Sequence, residues 1–211
     1  MMRLRDVTLV RDGNPVFRDL SLELTEARIG LVGANGCGKS SLLRLVKGLL
    51  TPQSGSVATD GPCGLVFQNP DHQILFPTVM EELCFGLLEQ GLDLSEAQTR
   101  AGELLAAHGL LAMQSQATHE LSEGRKQLLC LLSVLADGAG ILLLDEPCSS
   151  LDRATTRQVM SMIRGLSQQV LMASHHLELL EDFDRVIWME EGRVRMDGAP
   201  EPVLAAYRAH C

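Results

Sequence analysis

The sequence predicts an α/β fold with a largely parallel sheet, an antiparallel β segment near the N-terminus and an inserted helical segment. Three observations lead to this prediction. The runs Ile29–Val32 and Ile141–Leu144 are wholly apolar, as expected of parallel strands that are covered on both faces. The first run is followed by a glycine-rich stretch and then by a helical pattern, and helix signals dominate residues 69–121.

The elements before residue 69 follow from local patterns. Leu4–Val10 and Val16–Leu24 alternate apolar and polar residues around the turn-forming segment Asp12–Pro15, which indicates a β-hairpin. We expect a helix over Ser40–Leu50 and a strand over Gly64–Phe67.

Residues 69–121 are predicted to form a helical subdomain, whereas 1–68 and 122–211 form the α/β core of a single domain spanning 1–211. Thr78 and Glu81 have the spacing of a capping box, and Ser95–Gly109 is periodic.

The second part of the core continues the alternation of helix and strand. Gly124–Ala136 and Arg153–Leu166 are predicted helices, and Val170–Ala173 is a predicted strand. A closing hairpin is expected from Val186–Met189 and Val194–Met196, which flank a Glu-Gly turn.

Composition limits the possible partners. The chain has 211 residues, of which 45% are hydrophobic, and it carries 18 Lys and Arg against 27 Asp and Glu, a net charge of −9. Because phosphate backbones are bound by clustered basic residues, we expect no nucleic-acid partner. Met1–Val10 is charged and no apolar stretch has the length of a bilayer span, so membrane attachment would require a partner. The cysteines lack zinc-site spacing and are expected to be free thiols; they are Cys37, Cys63, Cys84, Cys130, Cys148 and Cys211.

A glycine-rich motif follows the first apolar run. It fits the phosphate-binding loop pattern completely and consists of Gly33, Ala34, Asn35, Gly36, Cys37, Gly38, Lys39 and Ser40, with Ser41 next to it. Backbone N–H groups would hold the phosphates of ATP, Lys39 would contact the β and γ phosphates, and Ser40 would ligate Mg²⁺. An ordinary glycine-rich turn is the alternative, and the strand before and the helix after the motif argue against it.

The second apolar run ends in two carboxylates, Asp145 and Glu146. At the carboxyl end of a buried strand, Asp145 would help to hold Mg²⁺ and Glu146 would activate the attacking water. Alone, this pattern is as often an ordinary strand end. Together with the glycine-rich motif it indicates a P-loop NTPase core.

The segment Leu121–Gln127 resembles the signature motif of ATP-binding cassette (ABC) proteins. The resemblance implies the ABC ATPase fold and a second ATPase subunit, identical or different, whose ATP would contact Ser122 and Gly124 of this chain. It also implies that Gln68 senses Mg²⁺ and the attacking water, that Asp152 lies in a loop at the dimer interface, and that His175 touches the γ-phosphate. Read alone, Leu121–Gln127 is a capped helix start, since Ser122 is a good N-cap residue.

Two positions depart from the ABC pattern. Val10 stands where the family usually has an aromatic residue that stacks on adenine, and Phe17 is the candidate substitute. Glu123 stands where the signature motif usually has glycine, and its carboxylate would repel a γ-phosphate, with Arg125 offsetting part of the charge.

The segment Phe67–Val79 is similar to the corresponding segment of energy-coupling-factor (ECF) importer ATPases. This implies an integral membrane transport subunit, a small substrate-binding membrane subunit and a peripheral position at the cytoplasmic face of the inner membrane. The transported substrate would be a vitamin, biotin first, or cobalt or nickel. Chain length also favours the biotin importers.

Three other functions remain open. A soluble ABC ATPase in DNA repair or translation usually has a second cassette or an inserted coiled coil. A small-molecule kinase needs an arginine-rich lid, whereas Arg153, Arg157 and Arg164 fit a solvated helix face. A non-catalytic nucleotide-binding regulator is disfavoured by Glu146 and His175.

Overall fold

A computed structural model describes residues 1–210, so that Cys211, the last of the predicted thiols, lies outside the described residues. Within residues 1–210 there are nine strands and six α-helices. The strands are β1 (Met2–Arg11), β2 (Asn14–Leu24), β3 (Arg28–Val32), β4 (Ser54–Thr59), β5 (Cys63–Val66), β6 (Ile141–Asp145), β7 (Gln169–Ala173), β8 (Arg185–Glu190) and β9 (Arg193–Gly198). The helices are α1 (Lys39–Lys47), α2 (Val79–Glu89), α3 (Leu94–Ala107), α4 (Glu123–Ala136), α5 (Arg153–Gly165) and α6 (Pro200–His210).

The chain divides into two compact units. The first contains Met1–Leu65, Gly140–Ser149 and the described residues from Ser167 onward. It holds the predicted N-terminal hairpin of β1 and β2. Strand β4 pairs with the other side of β1, and the three strands form an antiparallel sheet. Val7, Leu9, Leu22 and Leu24 are buried, whereas Thr8 between the first two is half-buried and Glu23 between the last two is exposed, and this alternation makes the sheet one-sided.

The second sheet has the strand order β5-β6-β7-β3-β8-β9. β3 is parallel to both β7 and β8, β6 is parallel to β7, and β8 and β9 form an antiparallel hairpin. All five residues of β6 are buried, as its apolar run Ile141–Leu144 predicts for the first four; the fifth is Asp145. The carboxyl ends of β3, β6 and β7 therefore meet at one edge, where open α/β sheets bind ligands.

The second unit contains Val66–Ala139 and Ser150–Leu166 and is mainly helical. It includes α2 and α3 and also α4 and α5. The expected boundaries of the helical subdomain, residues 69 and 121, stay a prediction. Thr78 caps α2 by accepting from the Glu81 N–H (3.2 Å), but the Glu81 carboxylate binds the Thr78 hydroxyl (2.7 Å) instead of the Thr78 backbone, so only half of the expected capping box forms.

One predicted element requires correction, and two elements of the structure had no prediction. The helix expected over Ser40–Leu50 ends at Lys47, because Gly48 adopts a left-handed conformation (φ 82°) that closes the helix. Strand β4 and helix α6 were not predicted. β4 is made of small, mostly exposed residues that pair with β1. Within residues 1–210, no helix combines the length and the apolar character needed to cross a bilayer.

Candidate functional site

The phosphate-binding motif forms the turn between β3 and α1. Its backbone depends on glycine at both ends. Gly33 has φ 148°, and a Cβ at this position would collide with the Met189 carbonyl oxygen. Gly38, the N-cap residue of α1, has φ 111°, and a Cβ there would lie 2.6 Å from Phe17 Cε1. Both positions therefore exclude other residues on steric and conformational grounds.

Lys39 is the first residue of α1 and is 7% exposed. Its ammonium group folds over the loop and donates to the carbonyl oxygens of Gly33 (2.6 Å) and Ala34 (3.1 Å). This places a buried positive charge against the concave side of the turn. A cation held above a ring of glycine-rich backbone is suited to binding a polyphosphate.

The remaining residues of the motif differ in exposure. Ala34, Asn35 and Gly36 form the exposed tip, and Cys37 and Ser41 are buried beneath it. The Cys37 N–H donates to the Ala34 carbonyl (3.3 Å), which closes the turn. The predicted loop residues are therefore together in one turn.

Ser40 and Asp145 meet across the sheet edge, as the two motifs predict. The Ser40 hydroxyl donates to Asp145 Oδ1 (3.0 Å). Burial raises the pKa of the Asp145 carboxyl, and the hydrogen bond from Ser40 and the charge of Arg44 oppose that rise. Among the described residues no cation forms an ion pair with Asp145. A hydroxyl and a buried carboxylate of this kind are the oxygen donors that Mg²⁺ prefers, and the pair fits the metal.

Glu146 follows Asp145 at the end of β6 and has a left-handed backbone (φ 52°). Its N–H donates to the Ala173 carbonyl of β7 (3.0 Å), and its carboxylate contacts Nδ1 of His175, which lies two residues beyond β7. A left-handed backbone conformation is uncommon for glutamate, and at Glu146 it turns the side chain toward His175. The Glu146 side chain is 12% exposed and the His175 side chain 49% exposed, so the pair opens to solvent on the histidine side.

Three predicted residues lie in the second unit, at two neighbouring helix starts. Ser122 caps α4 by accepting from the Arg125 N–H (3.4 Å), and Asp152 caps α5 by accepting from the N–H groups of Ala154 (2.8 Å) and Thr155 (2.9 Å). Hydrogen bonds from the Thr155 backbone and hydroxyl lower the pKa of Asp152. Gly124 is buried against Thr155, which sets the two helix starts side by side.

Gln68 lies two residues beyond β5, also in the second unit, where the predicted segment Phe67–Val79 begins. The structure adds residues that the sequence did not single out. Glu82 of α2 is buried, and its carboxylate accepts from the N–H groups of Leu75 and Phe76 (both 2.9 Å). Its only sequence signal is a glutamate within an otherwise apolar helix face.

The prediction that Phe17 stacks on adenine in place of an aromatic residue at position 10 is wrong. Its side chain is 1% exposed and packs beside Gly38, so neither face of the ring is available to a base. Val10 is held by Gln53, which bonds both its N–H (2.7 Å) and its carbonyl (3.1 Å).

Glu123 is the second position that departs from the ABC pattern. It is exposed in the first turn of α4, and the Arg125 guanidinium donates to Gln116 Oε1 (3.3 Å). Arg125 is therefore not committed to Glu123.

Comparison with known proteins agrees with this geometry. The model of the ABC transporter family matches residues 17–149. The biotin transport ATP-binding protein BioM of Rhodobacter capsulatus is 47% identical over 96% of this chain and 92% of its own length. The energy-coupling factor transporter ATP-binding protein EcfA of Methanothermobacter thermautotrophicus is 33% identical over 95% of this chain and 71% of its own length.

Among solved structures, cbiO1 of Clostridium perfringens, described as part of the ABC transporter complex cbiONQ, superposes with a TM-score of 0.86. The two sequences are 26% identical, and the superposition covers 99% of this chain and 92% of the cbiO1 chain. The predicted ABC ATPase fold is thereby confirmed. With its phosphate-binding turn, its paired carboxylates and this match over most of its length, the chain belongs to the ABC transporter family and is an ATPase of that family.

Proposed function

We propose that this chain is the ATP-hydrolysing subunit of an ECF-type importer, with biotin as the first candidate substrate and cobalt or nickel as the second. The observation that carries the catalytic part is the pair of adjacent carboxylates at the end of β6. Asp145 bonds Ser40 of the phosphate-binding turn, and Glu146 contacts His175. The relatives named for biotin transport and for energy coupling support the choice of importer.

Hydrolysis follows from this arrangement. Lys39 and the backbone of the turn hold the β and γ phosphates, and Mg²⁺ bound by Ser40 and Asp145 would offset phosphate charge. Glu146 accepts a proton from water while the water oxygen bonds to the γ-phosphorus. The bond from that phosphorus to the bridging oxygen breaks, and ADP leaves with the electron pair. His175 orients the Glu146 carboxylate and reaches the γ-phosphate from its solvent-exposed side.

A second ATPase subunit would complete each site. Ser122 and Asp152 stand at the starts of α4 and α5, and helix N-termini favour anions. Gly124 keeps these two starts in contact through Thr155. In the proposed dimer, identical or mixed, this pair of helix ends faces the ATP bound by the partner, so that two ATP molecules are held between two subunits.

The surface of the second unit supports docking to a membrane subunit. Leu75 is 75% exposed, and Phe85 and Leu88 are also exposed. Phe76 is half-buried, and its ring centroid lies 5.1 Å from that of Phe85, which connects the segment of Leu75 to α2. We define the docking patch as Leu75, Phe76, Phe85 and Leu88. Exposed apolar side chains clustered in this way are typical of a surface that receives a helix.

The test is co-purification of the tagged full-length chain from detergent-solubilised native membranes, with partners identified by mass spectrometry. We expect one large helical membrane subunit and one small hydrophobic membrane subunit. Leu75→Asp should abolish their recovery, because it places a charge in the docking patch. Leu94→Asp is the matched control, since Leu94 is also exposed but lies outside the patch.

The substrate is then tested by uptake in cells that carry the recovered subunits. Accumulation of labelled biotin that depends on Glu146 supports the biotin importer, and accumulation of cobalt or nickel supports the metal importer. Recovery of only soluble proteins or nucleic acid, from membranes in which other transport complexes stay intact, would contradict the importer function. A soluble ABC ATPase would then be the better account.

A further inference from the structure

The short 3-10 helix at Pro70–His72, which follows Gln68, is fastened to α4 by an ion pair. Lys126 Nζ of α4 lies 2.6 Å from Asp71 Oδ1. The Lys126 side chain is 16% exposed, so its charge is largely shielded from water, whereas the Asp71 side chain is 59% exposed. A partly buried ammonium of this kind depends on its carboxylate partner more than a surface lysine does.

A second set of bonds reinforces the same attachment. Gln73 Nε2 donates to the Cys130 carbonyl of α4 (3.1 Å), and Gln73 Oε1 accepts from the Phe67 N–H (3.2 Å), directly before Gln68. The Cys130 thiol also points to the Pro70 carbonyl (3.9 Å). The chain on both sides of Gln68 is thereby tied to α4.

Lys126 is also one helical turn beyond Ser122. The Lys126 N–H donates to the Ser122 carbonyl (2.9 Å), in the first turn of α4. A continuous path of contacts therefore runs from Ser122 through Lys126 and Asp71 to the segment of Gln68. All of these residues belong to the second unit.

We propose that Lys126 is a positioning residue that makes Gln68 and Ser122 move as one body. The inference rests on the proposed function, in which Ser122 faces the nucleotide of the partner, and on the role that the ABC resemblance implies for Gln68 in sensing Mg²⁺ and the attacking water. A displacement of Gln68 or Ser122 that is caused by a nucleotide is then transmitted to the other residue through the Lys126–Asp71 pair. Its contribution belongs to the hydrolytic step and to cooperativity between the two ATP sites, since the phosphate-binding turn contains neither residue.

The test is steady-state ATP hydrolysis by the full-length chain. Lys126→Ala should lower kcat about tenfold and bring the Hill coefficient toward one, with KM and the Kd for ATP changed less than about twofold. Asp71→Asn, a change at an exposed position, should lower kcat in the same way and serves if Lys126→Ala does not fold. Lys126→Arg should retain activity, and the exchanged pair Asp71→Lys with Lys126→Asp should recover most of it.

Arg208→Ala is the matched control, because Arg208 forms an ion pair of the same length with Glu181 (2.6 Å) in the other unit. It should leave kcat and the Hill coefficient unchanged. A folded Lys126→Ala or Asp71→Asn variant with a kcat within about twofold of the parent would overturn the inference. It would also be overturned if the exchanged pair were no more active than Asp71→Lys alone or Lys126→Asp alone. A parent chain without ATPase activity would instead overturn the proposed function, and the inference with it.

Discussion

Replacement of Gly124 by alanine tests how closely α4 and α5 are packed at their N-termini. A Cβ at Gly124 would overlap Thr155 Cγ2 and lie within 3.4 Å of Thr155 Oγ1. Thr155 has little freedom to withdraw, because its backbone N–H is bonded to Asp152 Oδ1 (2.9 Å) and its hydroxyl also bonds the Asp152 carboxylate. The overlap must therefore be relieved by moving one helix start away from the other.

The expected cost follows from two opposing contributions. Overpacking by one methyl group in a closely packed site costs about 1–3 kcal/mol of unfolding free energy. Replacing glycine by alanine in a helix returns up to about 1 kcal/mol, and less in the first turn than in the interior. We therefore expect Gly124→Ala to lower the free energy of unfolding by about 1–2 kcal/mol.

The assay is equilibrium urea unfolding of the parent, Gly124→Ala, Thr155→Ser and the double variant. Thr155→Ser removes Cγ2 and keeps the backbone N–H that bonds Asp152, so the double variant should regain most of the lost stability. ATPase activity should stay low in the double variant, since the added methyl group still covers the helix start that is proposed to bind phosphate. A loss below about 0.5 kcal/mol, or a double variant as unstable as the sum of the two single changes, would refute the predicted overlap.

Three further predictions concern the acidic residues Glu146, Asp145 and Glu123. Glu146→Gln should lower kcat by about 10²–10⁴-fold and leave the Kd for ATP unchanged, because it removes the proton acceptor but no phosphate contact; Glu178→Gln is the control, and retained turnover would contradict the role of Glu146. Asp145 has a raised pKa, so the folded state binds its proton more tightly and stability falls as pH rises from the ordinary carboxyl pKa through the raised one. Asp145→Asn should therefore raise the Tm at neutral pH in chelator, with a difference that vanishes in acid, while abolishing Mg²⁺-dependent hydrolysis; an equal Tm at neutral pH would contradict this. Glu123→Gly should raise the ATPase rate of the isolated chain by removing a carboxylate near the proposed phosphate site, and an unchanged rate would count against that repulsion.

Much of the fold was predictable because its central strands contain short apolar runs that are bounded by strong turn signals. The apolar runs Ile141–Leu144 of β6 and Ile29–Val32 of β3 are buried, as their sequences indicate. β4 was not predictable, because small, exposed residues such as Ser54 and Ala58 acquire strand structure only by pairing with β1. Such pairing is a non-local contact that a local pattern does not contain.

The functional site shows the same division between local and non-local information. Ser40 and Asp145 were recognised from separate motifs, and their meeting at the sheet edge follows from the parallel strand order. The contact of Glu146 with His175 depends on the left-handed backbone at Glu146, which the residue type does not predict. Phe17 was misjudged for a related reason: its position on β2 was correct, but its side chain faces Gly38.

The two hydrogen bonds of Lys39 have a consequence for how tightly nucleotides are bound. Because two of the three N–H donors of the ammonium group already bond the Gly33 and Ala34 carbonyls, only the third is free for an arriving phosphate. Each further bond from Lys39 to phosphate replaces a bond to a carbonyl, so its contribution to affinity is the difference between the two bonds and not the full strength of the new one. An anion such as sulfate that takes only the free N–H would therefore gain little from Lys39, whereas a polyphosphate that also contacts several backbone N–H groups would gain enough to replace the carbonyl bonds.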